Sequence, residues 1–204
     1  MSAPAPLEWS IAARALPGES SSGDRGVVVP ASGRALAAAV DGLGHGAPAA
    51  EAAEAAVGVL RRCAAETLAS IVEHCHAALR STRGAAMSVV SLDCAANALS
   101  WLAVGNVEGR LLRGGEVARA GGEPLVSQSG IVGYVLPPLA ARSLRIRHGD
   151  VLVLATDGIG RGFADSLLPA GSPRSIADQI LGRHALTSDD ALVLVARYLG
   201  GRER

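Results

Sequence analysis

AMSVVSLDCAANALSWLAVGNVEGRLLR, residues 86–113, is the stretch that decides the fold. Ala86 to Asp93, Asn97 to Val104 and Val107 to Arg113 each place apolar residues at every second position, with turn residues between them. Successive side chains of a strand point to opposite faces, so this spacing reads as three short strands in an antiparallel meander. The preceding segment has another pattern. From about Pro48 to Ser81 the chain is rich in Ala, Glu, Leu and Arg with no proline inside. That is too long for one ordinary globular helix, so two are expected, breaking near Ala64 to Thr67.

Working outward, residues 7–15 (LEWSIAARA) alternate loosely and read as a first strand. Val27 to Pro30 is a second apolar stretch, and Ala35 to Val40 suits a buried strand ending at Asp41. Residues 42–48 (GLGHGAP) form a glycine-rich loop, and residues 114–138 an irregular Gly- and Pro-rich connection with short strands. Arg142 to Arg147 alternates, and Val151 to Thr156 is the most apolar strand. Ser172-Pro173 is an N-cap followed by proline at the first helical position, opening a helix to about His184. Asp190 to Leu199 is a final strand. No repeat or linker divides the chain, so a single domain over residues 1–204 is expected, of the α+β class.

Composition removes several functions. The 19 cations are all arginine, so neither lysine Schiff-base chemistry nor a GK[ST] phosphate loop is available. Nineteen acids balance them, and zero net charge with no basic run speaks against nucleic acid as a partner. No apolar stretch approaches the ~20 residues of a membrane span, and Met1 to Trp9 lacks the pattern of a secretory signal. Cys63, Cys75 and Cys94 form no disulfide framework, which fits a reduced, cytoplasmic setting. None of the three opens a C-x5-R motif, since Ala69, Ser81 and Ser100 stand six residues on, so cysteine-dependent phosphatase chemistry is excluded.

The acids carry the positive signal. Of nine aspartates, Asp24, Asp41, Asp157, Asp189 and Asp190 fall where strands meet turns, in SGDRG, VDGLGHG, ATDGIG and TSDDALVLV. Each alone has a plain reading, because Asp-Gly is a common turn dipeptide and Asp also caps strands. Together, carboxylates at several strand ends can converge on one sheet edge, where their repulsion calls for a hard divalent cation such as Mg²⁺ or Mn²⁺. Glycine after Asp41 and after Asp157 permits close backbone approach and offers a backbone carbonyl as a further ligand.

In order, SGD (22–24), DGLGHG (41–46), GAAM (84–87), AVGN (103–106), GD (149–150), TDGI (156–159) and SDDALVLVAR (188–197) resemble the metal-dependent PPM, or 2C-type, protein phosphatases. The similarity is greatest to their bacterial sporulation and stress-response branch and to its small stand-alone stressosome phosphatases. It spans about residues 20 to 198. The resemblance implies two packed antiparallel β-sheets flanked by helix pairs, a four-layer α-β-β-α sandwich. It also implies two Mn²⁺ or Mg²⁺ ions per chain, with Asp41 bridging them and the Gly42 carbonyl binding one. Asp157 and Asp189 would complete the second position, with Asp24 near the first and Asp190 as the less favoured alternative to Asp189. The implied activity is hydrolysis of phosphoserine and phosphothreonine by an activated water, without a covalent phosphoenzyme. The implied substrates are phosphorylated STAS-domain proteins of a stressosome-like scaffold. A monomer is compatible with this reading.

Two departures from the family pattern matter. Arg14 and Arg25 are both candidates for the upstream phosphate-holding arginine, and nothing in the sequence selects between them. GAAM stands where Gly-[SM]-Thr-[AC] is usual, which removes a hydroxyl and leaves room for a catalytically weak binding or regulatory module. A GHKL-type ATPase, suggested by DGLGHG, needs an asparagine on a preceding helix, and the only asparagines, Asn97 and Asn106, come later. His45 reads as a solvent-facing loop residue more readily than as a general acid. His74-Cys75-His76 with Cys63 suggests zinc superficially. Adjacent helical positions point about 100° apart and no CxxC occurs, so these residues read as helix packing.

Overall fold

The alanine-rich run at residues 35–39 becomes the middle of a strand buried on both faces. In the computed structural model, which describes residues 7–31, 33–114, 121–167 and 170–200, this strand is β3 (Arg34–Gly42). Ala35, Ala37 and Ala39 face the core between two sheets, while Leu36, Ala38 and Val40 face two helices. A strand between layers needs apolar residues at every position, and small ones let both neighbours approach closely. The helix laid over it answers in kind, burying Ala49, Ala52, Ala53 and Ala56. The alanine content of the chain is thus a packing property.

The other strands are β1 (Leu7–Arg14), β2 (Asp24–Ala31), β4 (Ala85–Asp93), β5 (Ala98–Val104), β6 (Glu108–Leu112), β7 (Glu123–Leu125), β8 (Arg142–Arg145), β9 (Val151–Ala155) and β10 (Ala191–Tyr198). The helices are α1 (Ala47–Arg62), α2 (Leu68–Leu79) and α3 (Pro173–His184), with a 3-10 helix at Arg161–Ser166. One antiparallel sheet runs β1-β10-β9-β6-β7 and the other β2-β3-β4-β5-β8. Leu92, Leu99, Leu111, Leu152, Leu154 and Leu194 are among the side chains that fill the space between them. α1 and α2 cover the second sheet, while α3 and the 3-10 helix cover the first. The expected four layers are present. Among the described residues, the outer layer on the first sheet is one α-helix with a 3-10 turn in place of a second pair.

Most expected elements fall within a few residues of their places. Ser172 accepts a hydrogen bond from the Ser175 amide and Pro173 opens α3, as the cap pattern required. The break between α1 and α2 lies at residues 63–67, where Thr67 caps α2.

The meander needs correction. β4 and β5 form a hairpin, from Met87 opposite Val104 to Asp93 opposite Ala98, but β6 pairs with β9 and β7 in the other sheet. Gly105, at φ 93°, turns the chain across the sandwich, and a side chain there would meet the Ala86 Cβ at 2.5 Å. Val107 and Leu111 enter the same core that β4 and β5 line. Alternation records that a strand has an inner face, not which sheet it joins. In the irregular connection, residues 115–120 lie outside the described residues. The remainder holds β7 and isolated bridges such as Ala85 with Val132. No helix among the described residues is long and apolar enough to cross a membrane.

Candidate metal centre

The β2–β3 register sets Asp24 directly opposite Asp41. Opposed residues of an antiparallel pair share a face, with Cβ atoms roughly 5 Å apart, and two like charges so placed destabilise the pair. The other sheet brings its own acids to the same edge. Asp157 follows β9 by two residues, and Asp189 and Asp190 immediately precede β10. Thr156 joins the two sheets at this point. Its hydroxyl donates to Asp24 Oδ2 at 2.6 Å and accepts from the Leu192 amide at 2.9 Å.

The five acids have different surroundings. Asp24 is buried, and burial pushes its carboxyl up to about 7, against the lowering effect of Thr156 and with repulsion from Asp190, Asp157 and Asp189. Asp41 is pushed up to about 8, first by burial and then by Asp24, Asp157, Asp189 and Asp190. Asp157 is raised by burial and by Asp189, while Asn106 Nδ2, donating to its Oδ2 at 2.6 Å, opposes that shift. Asp190 is buried with one oxygen accepting from the Leu16 amide and the other from the Gly23 amide, each at 2.7 Å. It clamps the loop before β2. Asp189 is more open and accepts from the Asp190 amide at 2.8 Å, so it is the freer of the two carboxylates. Among the described residues, no arginine or histidine forms an ion pair with any of the five.

The glycines beside these acids are required by close approach. A Cβ on Gly42 would lie 2.1 Å from the Ala49 carbonyl oxygen of α1, and one on Gly158 would lie 1.8 Å from the Asp190 carbonyl oxygen. Asp41-Gly42 is not a turn: both residues are paired with β4, Asp41 with Ala86 and Gly42 with Ala85. Asp157-Gly158 does form a turn, closed by the Ile159 amide on the Thr156 carbonyl at 3.0 Å. There the plain reading and the acidic one hold together.

The donor set suits hard divalent cations. It consists of carboxylate oxygens on two sheets with no cationic side chain paired with them, and burial and neighbouring acids raise the pKa values of Asp24, Asp41 and Asp157. Among the described residues, no three of these carboxylates bring oxygens within 4.8 Å of one another, so the acids line an open edge and not a nest around one point.

Neither arginine considered from the sequence points into this edge. Arg14 donates to the Leu186 carbonyl, and Arg25 is spent on the Ser22 and Asp24 carbonyls and on Glu54. Sequence reasoning missed Arg83. It lines a cavity of about 780 Å³ with Leu43, Gly44, Pro48, Glu51 and Tyr134, and this cavity opens beside the loop that follows Asp41 and Gly42. A Cβ on Gly44 would lie 2.7 Å from Arg83 Nη1, and Arg83 has no hydrogen bond or ion pair among the described residues. Its place one residue before GAAM was the signal available. His45 is exposed and its Nδ1 lies 2.7 Å from Glu19 Oε1, a loop contact and not a group aimed at the acids.

Residues 31–199 match the family model described as stage II sporulation protein E (SpoIIE). Over 72 residues the chain is 33% identical to phosphoserine phosphatase RsbX of Bacillus subtilis (strain 168), a match covering 35% of this chain and 36% of that protein. A solved structure from work on the bacterial stressosome, described as a modular system adapted to control secondary messenger signaling, superposes with a TM-score of 0.82 at 31% identity. That comparison covers 94% of this chain and 99% of the other. The structure of RsbX in complex with magnesium has the same fold, with a TM-score of 0.79 at 21% identity over 94% of each chain.

Proposed function

Because the chain belongs to the SpoIIE family of PP2C-type protein phosphatases, we propose that it hydrolyses phosphoserine and phosphothreonine with two divalent cations, Mn²⁺ or Mg²⁺, held by Asp24, Asp41, Gly42, Asp157 and Asp189. The observation that carries this reading is the pairing of Asp24 with Asp41 at an edge where Asp157 and Asp189 also arrive. Its expected substrates are phosphorylated STAS-domain proteins of a stressosome-like assembly. The likeness to RsbX and to a stressosome-derived structure supports that choice, as it supports a cytoplasmic place of action. One domain spanning residues 1–204 is the simplest organisation.

Divalent cations, when bound, supply a water acidic enough to attack phosphorus near neutral pH and positive charge against the phosphoryl oxygens. The chain does the rest. Asp41, near the end of a strand buried on both faces, is held by strand pairing on both sides, opposite Asp24 and Ala86. Thr156 fixes the rotamer of Asp24, and Asn106 fixes that of Asp157. Asp190 holds the loop bearing Gly23 against this edge. Arg83 stands where an anionic substrate would enter, with a guanidinium that has no other partner among the described residues.

Phosphate release from p-nitrophenyl phosphate and from candidate phosphorylated STAS proteins, with Mn²⁺ and with excess EDTA, tests the reading. Turnover should stop in EDTA and return with metal; full activity in a strict chelator would sink it. Arg83→Ala should raise KM for a phosphoprotein roughly tenfold, the loss of one charge-assisted hydrogen bond, while kcat changes less. An unchanged KM would remove Arg83 from the substrate path.

One observation favours the second reading, a catalytically weak phosphatase-fold module. Ala86 lies directly opposite Asp41 and offers a methyl group where the family pattern has a hydroxyl. A phosphoprotein that binds but is not turned over under saturating Mn²⁺ would select it.

A further inference from the structure

The turn between α1 and α2 gathers a second set of metal-ligand atoms, far from the aspartates and of different chemistry. Cys63 is the C-cap residue of α1, Glu66 lies in the turn, and His74 is on α2. Cys63 Sγ, a Glu66 carboxylate oxygen and a His74 ring nitrogen all lie within 4.8 Å of one another. His74 Nε2 is 3.1 Å from Glu66 Oε2, and Ser70, one turn before His74 on the same helix face, donates to that oxygen. From sequence, His74, Cys75 and His76 with Cys63 read as helix packing and not as a zinc site, and for Cys75 and His76 the geometry agrees. Cys75 is buried toward the Ala56 carbonyl, and His76 Nδ1 accepts from the Gly133 amide. Only His74 turns to the α1–α2 turn, where Glu66 supplies the ligand that the His-Cys-His spacing did not reveal.

We propose that Cys63, Glu66 and His74 form a zinc site that ties the C-terminus of α1 to the first turns of α2. One sulfur, one imidazole nitrogen and one carboxylate oxygen make a set that suits Zn²⁺, whereas the all-oxygen aspartate edge suits Mg²⁺ or Mn²⁺. Ionised Cys63 and Glu66 with neutral His74 carry two negative charges, which one Zn²⁺ neutralises. Zinc bond lengths of about 2.0–2.3 Å in a tetrahedron put ligand atoms roughly 3.4–3.6 Å apart, so from separations within 4.8 Å no pair closes by more than about 1.4 Å, and His74 Nε2 and Glu66 Oε2, at 3.1 Å, open slightly. Glu66 and His74 are exposed and Cys63 is half-buried, so rotamer changes achieve this and water takes the fourth position. On binding, the thiol proton leaves to solvent as the sulfur–zinc bond forms, and Glu66 gives up its contacts with His74 and Ser70. A reactive redox thiol is the weaker reading of Cys63, because desolvation and the adjoining Glu66 push its pKa up and leave it protonated in the absence of metal.

The two sites are separable. Ala49 in the first turn of α1 packs on Gly42, and the helical rise of 1.5 Å per residue from there to Cys63 places the turn about 21 Å away. The test uses the full chain, freed of metal by chelation and titrated with Co²⁺ and then Zn²⁺. Cobalt should give a near-ultraviolet sulfur-to-metal charge-transfer band that one equivalent of Zn²⁺ abolishes. Cys63→Ser should lose the band, and His74→Ala and Glu66→Gln should weaken zinc binding by at least about tenfold, the loss expected for one ligand. Asp41→Asn should keep the band. In the Asp41→Asn background, where the aspartate edge no longer holds metal, zinc should raise the melting temperature, and adding Cys63→Ser should remove that rise. Absence of a thiolate band at saturating cobalt, or zinc affinity that Cys63→Ser leaves unchanged in the Asp41→Asn background, would overturn the proposal.

Discussion

Asp41→Asn is expected to lower kcat by roughly 10³-fold or more and to abolish saturable Mn²⁺ binding at the aspartate edge, yet to make the metal-free protein more stable. The opposite signs come from one cause. Asp41 is held opposite Asp24 in register and near Asp157 and Asp189, and its carboxyl is pushed up to about 8 by burial and by those charges. Without a cation, ionising it costs free energy that the neutral amide does not incur. A one-unit shift corresponds to about 1.4 kcal/mol, and allowing for coupling among the acids the metal-free gain should be on the order of 2 kcal/mol. A residue needed only for folding would lose activity and stability together. Activity assays beside melts in EDTA distinguish the cases, and an Asp41→Asn protein less stable than the native chain in EDTA would contradict the account.

The metal-free protein should also lose stability as pH rises, which is the reverse of the usual behaviour of carboxylates. Asp24 and Asp41 have folded-state values of about 7 and about 8 against 3.8 for the ordinary side chain. Between those limits the folded state binds more protons than the unfolded state, so stability is fully present below about pH 4 and falls through about pH 8. From pH 5 to pH 8 the loss should be on the order of 3 kcal/mol, or roughly 10 °C in melting temperature for a chain of this size. Mn²⁺ or Mg²⁺ should remove most of this slope, because metal replaces the protons and binds more tightly as pH rises. Asp41→Asn should flatten it in EDTA. A metal-free melting temperature that is constant or rising from pH 5 to pH 8 would show that the acids do not repel as described.

The legible part of the site followed from local chemistry. Asp24, Asp41, Asp157, Asp189 and Asp190 could be marked because each sits at the border between an apolar run and a turn, and borders are visible in hydropathy. The preference for Asp189 over Asp190 came from family resemblance. What distinguishes the two carboxylates physically is visible only in three dimensions, where amides at Leu16 and Gly23, more than 160 residues away, occupy both oxygens of Asp190. Thr156 and Asn106 were present in quoted motifs, but their roles depend on which carboxylate lies opposite across the sandwich. Arg83 and the Cys63–Glu66–His74 cluster escaped for a related reason. Their neighbours are set by a cavity wall and by a helix–helix turn, neither of which has a periodic signature.

By itself the sequence determined the class of the fold, the order of its elements and the set of acids. These depend on side-chain period, capping and turn chemistry, all read over a few adjacent residues. Tertiary structure decided partnership: that β6 leaves the apparent meander for the other sheet, that Asp24 faces Asp41 while Asp190 faces backbone amides, and that a cysteine and a histidine meet through a glutamate. Alternation says that a side chain points inward, but packing between two sheets settles what it meets there, and at this edge what it meets is another negative charge.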